Sequence, residues 1–203
     1  MGTTLAAQSR FHWHAGGMDS ELWLVRHGAT EWSKAGRHTS VTDLPLLPEG
    51  EQTALALRER LAGVDFRLVL TSPRQRARHT AELAGFPDAE VTDDLVEWAY
   101  GDYEGLTTAQ IRESVAGWTV WTHPSPGGES GPAIAARCDR VVARAREAEG
   151  RTLAFAHGHS LRVLAARWLG LPPEDGRLLR LDTATVSVLG FERETLVVLR
   201  WNA

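Results

Sequence analysis

The sequence predicts an α/β fold: a three-layer sandwich with a mostly parallel sheet, an antiparallel edge from a C-terminal hairpin, and helices on both faces. Three observations predict it. Short apolar runs at Glu21-Arg26, Arg67-Leu70, Ala89-Thr92 and Thr152-Ala156 alternate with helical stretches, most of ten or more residues, as βαβ units do. Two of these runs end in His-Gly pairs, His27-Gly28 and His157-Gly158, at the carboxyl ends where open α/β sheets build their sites. The last two runs, Thr185-Phe191 and Leu196-Trp201, flank a short polar turn and read as a hairpin.

Taken in order, residues 1–20 read as a disordered extension, an expression remnant or a start codon placed too early, with a Phe11-His12-Trp13-His14 cluster and no apolar core long enough for a signal peptide. After the first strand a long polar loop runs to Leu47. Pro48 opens a helix to Leu61 that Gly63 ends, with Pro at the start and Gly past the finish. A buried strand at Arg67-Leu70 leads to a helix over Pro73-Ala84, stopped by Gly85, and to the short strand Ala89-Thr92. Thr107 caps a helix to Val115, and the Pro/Gly-rich stretch from His123 to Pro132 is a loop. Ala133-Glu149 is amphipathic and helical, and Ser160-Leu169 is a helix ended by Gly170. The length suits one domain, residues 21–203.

Composition narrows the function. A formal net charge of −4 and a pI near 6.1 give no bulk attraction to nucleic acid or an anionic membrane. No apolar run approaches the roughly 20 residues of a membrane span. Cys138 stands alone, which excludes an intrachain disulfide, suits a reducing cytoplasm, and reads as a small apolar core residue beside Ile134, Val141, Val142 and Ala145. Lys34 is the single lysine; an arginine bias on every helix reflects base composition before function. Oligomeric state is open, a homodimer included.

Four segments carry chemistry: Arg26-His27-Gly28; Thr71-Ser72-Pro73-Arg74-Gln75-Arg76-Ala77; Leu95-Val96-Glu97-Trp98-Ala99-Tyr100-Gly101; and Ala156-His157-Gly158-His159. Strand-to-helix junctions point backbone N–H groups at the sheet edge, where an anion binds. Arginine's fork matches phosphate. One nucleophile, one proton donor and several fixed cations suffice for phosphoryl transfer without a metal or organic cofactor.

Together and in this order, these segments resemble the histidine phosphatase superfamily, which includes cofactor-dependent phosphoglycerate mutase. Thr30-Glu31-Trp32-Ser33-Lys34, Glu97 to Gly105 and His157-Gly158-His159-Ser160-Leu161-Arg162 look closest to its small phosphatase branch of acid phosphatases and sugar bisphosphatases. The resemblance implies that His27 is the nucleophile and becomes a phosphohistidine, and that Arg26 and Arg76 grip phosphoryl oxygens. His157 would be a further cation or donor, and Glu97 the general acid and then the base. The substrate would be a small phosphorylated metabolite, also contacted by Ser33, Thr39, Tyr100 and Gly158. An acid near neutral pH needs a raised pKa, which desolvation by Trp98 and Tyr100 would supply.

Mutases usually carry Asn where Ser33 stands and Thr-Gly where Thr39-Ser40 stands; both hydroxyls here still offer a donor. They also carry a longer insertion after the Glu97 loop and a C-terminal tail over the site. Here Gly101 runs quickly into the Thr107 helix and the chain stops at Ala203. A site open to water hydrolyses its phosphoenzyme, so a phosphatase is expected, with a mutase and a non-catalytic phospho-ligand module as alternatives. Of the other groups, His159 reads as a pocket wall and His38 as either a substrate contact or a solvated loop residue. His79, His123, Arg74 and Arg78 read as surface, and Glu129 as a partner for an arginine or histidine. Trp23, Trp168 and Trp201 are assigned to the core and Trp98, Trp118 and Trp121 to a substrate cap.

Overall fold

The computed structural model describes residues 20–203. The expected extension, with His12 and His14, lies outside them except for Ser20, which is buried and donates to Arg146 O. One six-stranded sheet organises the chain: β1 (Glu21–Arg26), β2 (Leu68–Thr71), β3 (Glu90–Val91), β4 (Arg151–Ala156), β5 (Val186–Glu192) and β6 (Thr195–Arg200), in the order β3-β2-β4-β1-β5-β6. The first four strands are mutually parallel, and β5 and β6 run antiparallel to close one edge.

Alternation along the strands sorts the two faces. Leu22, Leu24, Ala154 and Ala156 face α5 (Gly131–Glu147) and α6 (Gly158–Trp168), where Ile134, Cys138, Val141, Leu161, Leu164 and Trp168 complete one buried cluster. Val25, Leu153 and Phe155 face α2 (Pro48–Leu61) and α3 (Gln75–Leu83) through Leu57, Leu61, Ala81 and Ala84. Cys138 is thus a core residue, its thiol pushed up to about 12 by burial.

Several boundaries differ from the sequence reading, each for a local reason. The loop after β1 contains a four-residue helix, α1 (Glu31–Lys34), closed by a capping box between Thr30 and Ser33. α3 begins at Gln75, whose N–H goes to Asp43 Oδ1 at 2.9 Å, and α6 begins at Gly158. α5 begins at Gly131 because Ser130 caps it and Pro132 sits in its first turn. The Thr107 cap holds as expected, with Gln110 reciprocating, on α4 (Thr108–Ser114). Trp168 is a core residue, but Trp23 and Trp201 are only partly buried, their indole N–H groups bonded to Glu21 Oε2 and Arg180 O. Trp98 and Trp118, assigned to a cap, are buried in the main core instead.

Candidate active site

Parallel pairing of β1 with β4 sets Arg26 opposite Ala156, so the next residues, His27 and His157, emerge side by side. Their ring centroids are 5.2 Å apart. His27 N–H donates to Ala156 O at 3.0 Å, and the following turn is fixed by Gly28 N–H on Thr80 Oγ1, also 3.0 Å. That turn lies flat on the first turn of α2. A methyl on Gly28 would run into the carbonyl of Gly50, and one on Gly50 into the carbonyl of Ala29. Only paired glycines permit this approach.

His27 Nδ1 is 2.7 Å from Gly28 O. A carbonyl only accepts, so Nδ1 carries the proton and Nε2 keeps its lone pair. Burial, then the charges of Arg76 and Arg26, hold the imidazole well below its ordinary pKa, against the Gly28 carbonyl. The ring is neutral near pH 7, as a nitrogen nucleophile must be.

His27 opens on a cavity of about 270 Å3 with Arg26, Glu97, Tyr100, Gly158 and His159. Arg26 reaches it with its Nη1 tied to Leu181 O at 2.6 Å and its buried Nε without a partner among the described residues. Arg37 and Arg162 line the same space, so the lining holds three arginines to one carboxylate. Such a lining favours an anion.

Glu97 is 6% exposed and serves as the cap of α6. Its Oε1 accepts from Ser160 N at 2.7 Å and Trp98 N at 2.9 Å, and its Oε2 from His159 N at 3.0 Å. Trp98 therefore meets this carboxylate with its backbone, not its ring; the indole N–H goes to Glu129 O. The N-terminus of α6 is occupied by Glu97 and that of α3 by Asp43, so neither junction is the open anion site expected. Oε2, with one donor against two on Oε1, is the oxygen with room for a further partner.

His157 and Arg76 lie beneath the cavity, outside its lining, and both are fully buried. Arg76 Nε donates to His157 Nδ1 at 3.1 Å, so the proton sits on Nε2, 2.7 Å from Ser72 Oγ. Burial and the Arg76 charge lower the His157 pKa far below its usual range. It is a neutral ring, not a cation. The rest of the Arg76 guanidinium goes to the carbonyls of Thr42, Thr39 and Ser40. That loop is held in turn by Glu104, which accepts from Ser40 N and Thr42 N.

The other expected contacts divide. Tyr100 and Gly158 line the cavity, and Tyr100 Oη shares a 2.6 Å hydrogen bond with His159 Nδ1. Ser33 and Thr39 also line it, but Ser33 Oγ donates to Thr30 O and Thr39 Oγ1 to Arg37 O. Their hydroxyl protons are engaged within the chain. His38 is not solvated: it packs against Tyr100 and Trp118, and burial pushes it down to about 4. Glu129 is the bidentate partner of Arg137 at 2.8 and 2.9 Å. Arg74 is not simply surface: its Nε is buried, without a partner among the described residues.

Sequence reasoning missed Arg37, Thr108 and Arg162. For Arg162 the signal was available: four residues after Gly158 on one helix, it must share that face. Its guanidinium lies 4.6 Å from the Trp121 ring centroid and is anchored on Gly176 O and Arg177 O. Among the described residues no three His, Cys, Asp or Glu side chains gather as a metal-holding group, and no helix is long and apolar enough to cross a membrane.

Comparison with known proteins agrees with this geometry. The family model of the histidine phosphatase superfamily (branch 1) matches residues 22–203. An acid phosphatase of Mycobacterium tuberculosis (strain ATCC 25618 / H37Rv) is 46% identical over 176 residues, covering 84% of this chain and 86% of the relative. A sedoheptulose 1,7-bisphosphatase of Saccharomyces cerevisiae is 39% identical over 181 residues, covering 73% and 67%. The solved structure of a Mycobacterium tuberculosis open reading frame superposes with a TM-score of 0.88 at 41% identity, covering 91% of this chain and 97% of that one. With the His27 turn, the buried Glu97 carboxylate and the paired histidines on one sheet edge, the chain belongs to branch 1 of the histidine phosphatase superfamily.

Proposed function

We propose that this protein hydrolyses phosphomonoesters of a small metabolite through a phosphohistidine on His27. What carries the reading is the state of that ring: Nδ1–H is committed to Gly28 O, burial keeps it neutral, and Nε2 is free beside an unsatisfied arginine. His27 Nε2 attacks phosphorus in line, forming the N–P bond as the ester P–O bond breaks. Glu97, protonated on Oε2, gives that proton to the leaving oxygen. The carboxylate then takes a proton from water; the water oxygen attacks phosphorus, the N–P bond breaks, and neutral His27 returns. Arg26 grips the phosphoryl oxygens through Nε. Arg76 acts from below as a fixed charge that also orients His157. Ser33, Thr39, Tyr100 and Gly158 shape the walls around the ester.

This domain spans residues 21–203 and works in the cytoplasm, where a single buried thiol is at no risk. Light scattering decides between a monomer and a homodimer. The chemistry is tested by phosphate release from 3-phosphoglycerate, sugar mono- and bisphosphates and an aryl phosphate, with chelator present. Release that falls by about 10⁴-fold or more in His27→Ala is expected. Release that survives the substitution, or isomerisation of 3-phosphoglycerate in its place, refutes the reading.

A further inference from the structure

We propose that Asn202, far from the cavity in sequence and absent from its lining, is a positioning residue that sets the affinity of Arg26 for phosphate. The inference rests on Arg26 being a phosphate ligand, as read above. Leu181 O is the one acceptor of the Arg26 guanidinium, at 2.6 Å among the described residues, and so sets which way Nε faces. Leu181 belongs to a segment with no regular structure between the last helical turn and β5. Something must hold it.

Asn202 supplies that hold from both sides of one residue. Its Oδ1 accepts from Asp182 N at 2.7 Å and its Nδ2 donates to Asp182 Oδ2 at 2.9 Å, while its own N–H goes to Ser187 Oγ at 2.9 Å on β5. The same segment is pinned to the nucleophile strand by Ala184 N–H on Arg26 O at 3.0 Å. Ala184 and Asn202 both sit in the left-handed region, at φ 54° and 51°. Asparagine tolerates that conformation; alanine does so only where neighbours impose it. The strained Ala184 and the two-point grip on Asp182 mark this segment as held in place. Fixing a flexible guanidinium before ligand arrives removes an ordering cost from binding.

The test uses the full chain and orthovanadate as the phosphate probe, with Kd from calorimetry well below the melting temperature. Asn202→Gly keeps the left-handed backbone without strain and deletes only the side chain. Asn202→Asp is the second variant, keeping the acceptor while replacing the Nδ2 donor with an oxygen against Asp182. Arg26→Ala is expected to raise Kd roughly 10- to 100-fold. Either Asn202 variant should raise it about fivefold to tenfold, within the range of coupled neighbours. In the Arg26→Ala background the Asn202 variants should add less than about twofold, since nothing is left to position. If wild type ignores vanadate, or Arg26→Ala binds it normally, the phosphate reading of Arg26 fails and this proposal with it. If Arg26→Ala weakens binding but the Asn202 variants do not, or weaken it equally in both backgrounds, the positioning role alone is overturned.

Discussion

Arg26 and Arg76 are two largely buried arginines at one sheet edge, yet they are in opposite states. Among the described residues Arg26 makes a single side-chain hydrogen bond, to Leu181 O, and leaves its Nε unsatisfied. Arg76 distributes its guanidinium over His157 and three carbonyls. Their histidine neighbours differ in the same way: His27 has one nitrogen free, whereas His157 has both engaged, by Arg76 and Ser72. A buried polar group left unmatched costs about 1–3 kcal/mol. The cavity layer therefore stores capacity for a ligand, and the layer below converts the same chemistry into rigidity. A residue type in a motif does not say which layer it belongs to.

The largest test of this division is at Glu97, the proposed acid. Glu97→Gln keeps most of the cap on α6 but cannot cycle a proton. It should lower kcat about 10²- to 10⁴-fold on an alkyl phosphate and much less on an aryl phosphate, whose oxygen leaves unaided. Equal losses on both substrates would remove Glu97 from the proton path.

Next come the two arginines themselves. Arg76→Ala leaves His157 and the 39–42 loop without their donor, and should cost about 3–5 kcal/mol in urea unfolding. Arg26→Ala should cost under about 1 kcal/mol, because it removes an unsatisfied donor together with one bond. Similar costs for the two would break the comparison.

The acid limb sharpens it further. His38, His157 and His27 all have folded pKa values below the ordinary 6.5, with His38 at about 4. Above pH 6.5 each is neutral folded or unfolded and contributes no pH dependence. Below it, the unfolded chain takes up protons that the folded chain refuses, so stability falls as pH drops toward the folded values. His38, with its folded value at about 4, contributes about 1.4 kcal/mol per pH unit, or about 2 kcal/mol between pH 6.5 and 5. Replacing His38 with Phe should remove its share of that loss; the same loss in wild type and variant would place its titration elsewhere.

At Ser72 the expected effect is smaller than at Arg76. Ser72→Ala strands the His157 Nε2–H and should cost about 1–2 kcal/mol of stability. Activity at saturating substrate should fall less than with Arg76→Ala, since Arg76 still holds the ring. A neutral Ser72→Ala would show that the His157 proton finds another acceptor.

Legibility in the sequence tracked the distance over which a contact acts. The Thr107 cap is local, and strand alternation is local, so the sheet and its two helical faces follow from the string. The starts of α3 and α6 do not, because their caps are Asp43 and Glu97, 32 and more than 60 residues away. The same remote carboxylates explain why the two junctions are filled rather than open to an anion. Arg76 shows the limit most clearly: its motif identified it as part of the site, but only the three-dimensional path of the 39–42 loop reveals that its donors are already taken.

The back-to-back glycines Gly28 and Gly50 have a consequence for anyone re-engineering this scaffold. Neither position tolerates a single added carbon, so a saturation library that includes them spends its diversity on unfolded clones. The His27 turn is in effect a fixed reference point. New substrates must be reached by varying the wall opposite, at Arg37, Thr39, Thr108 and Arg162, with the reaction centre carried over unchanged.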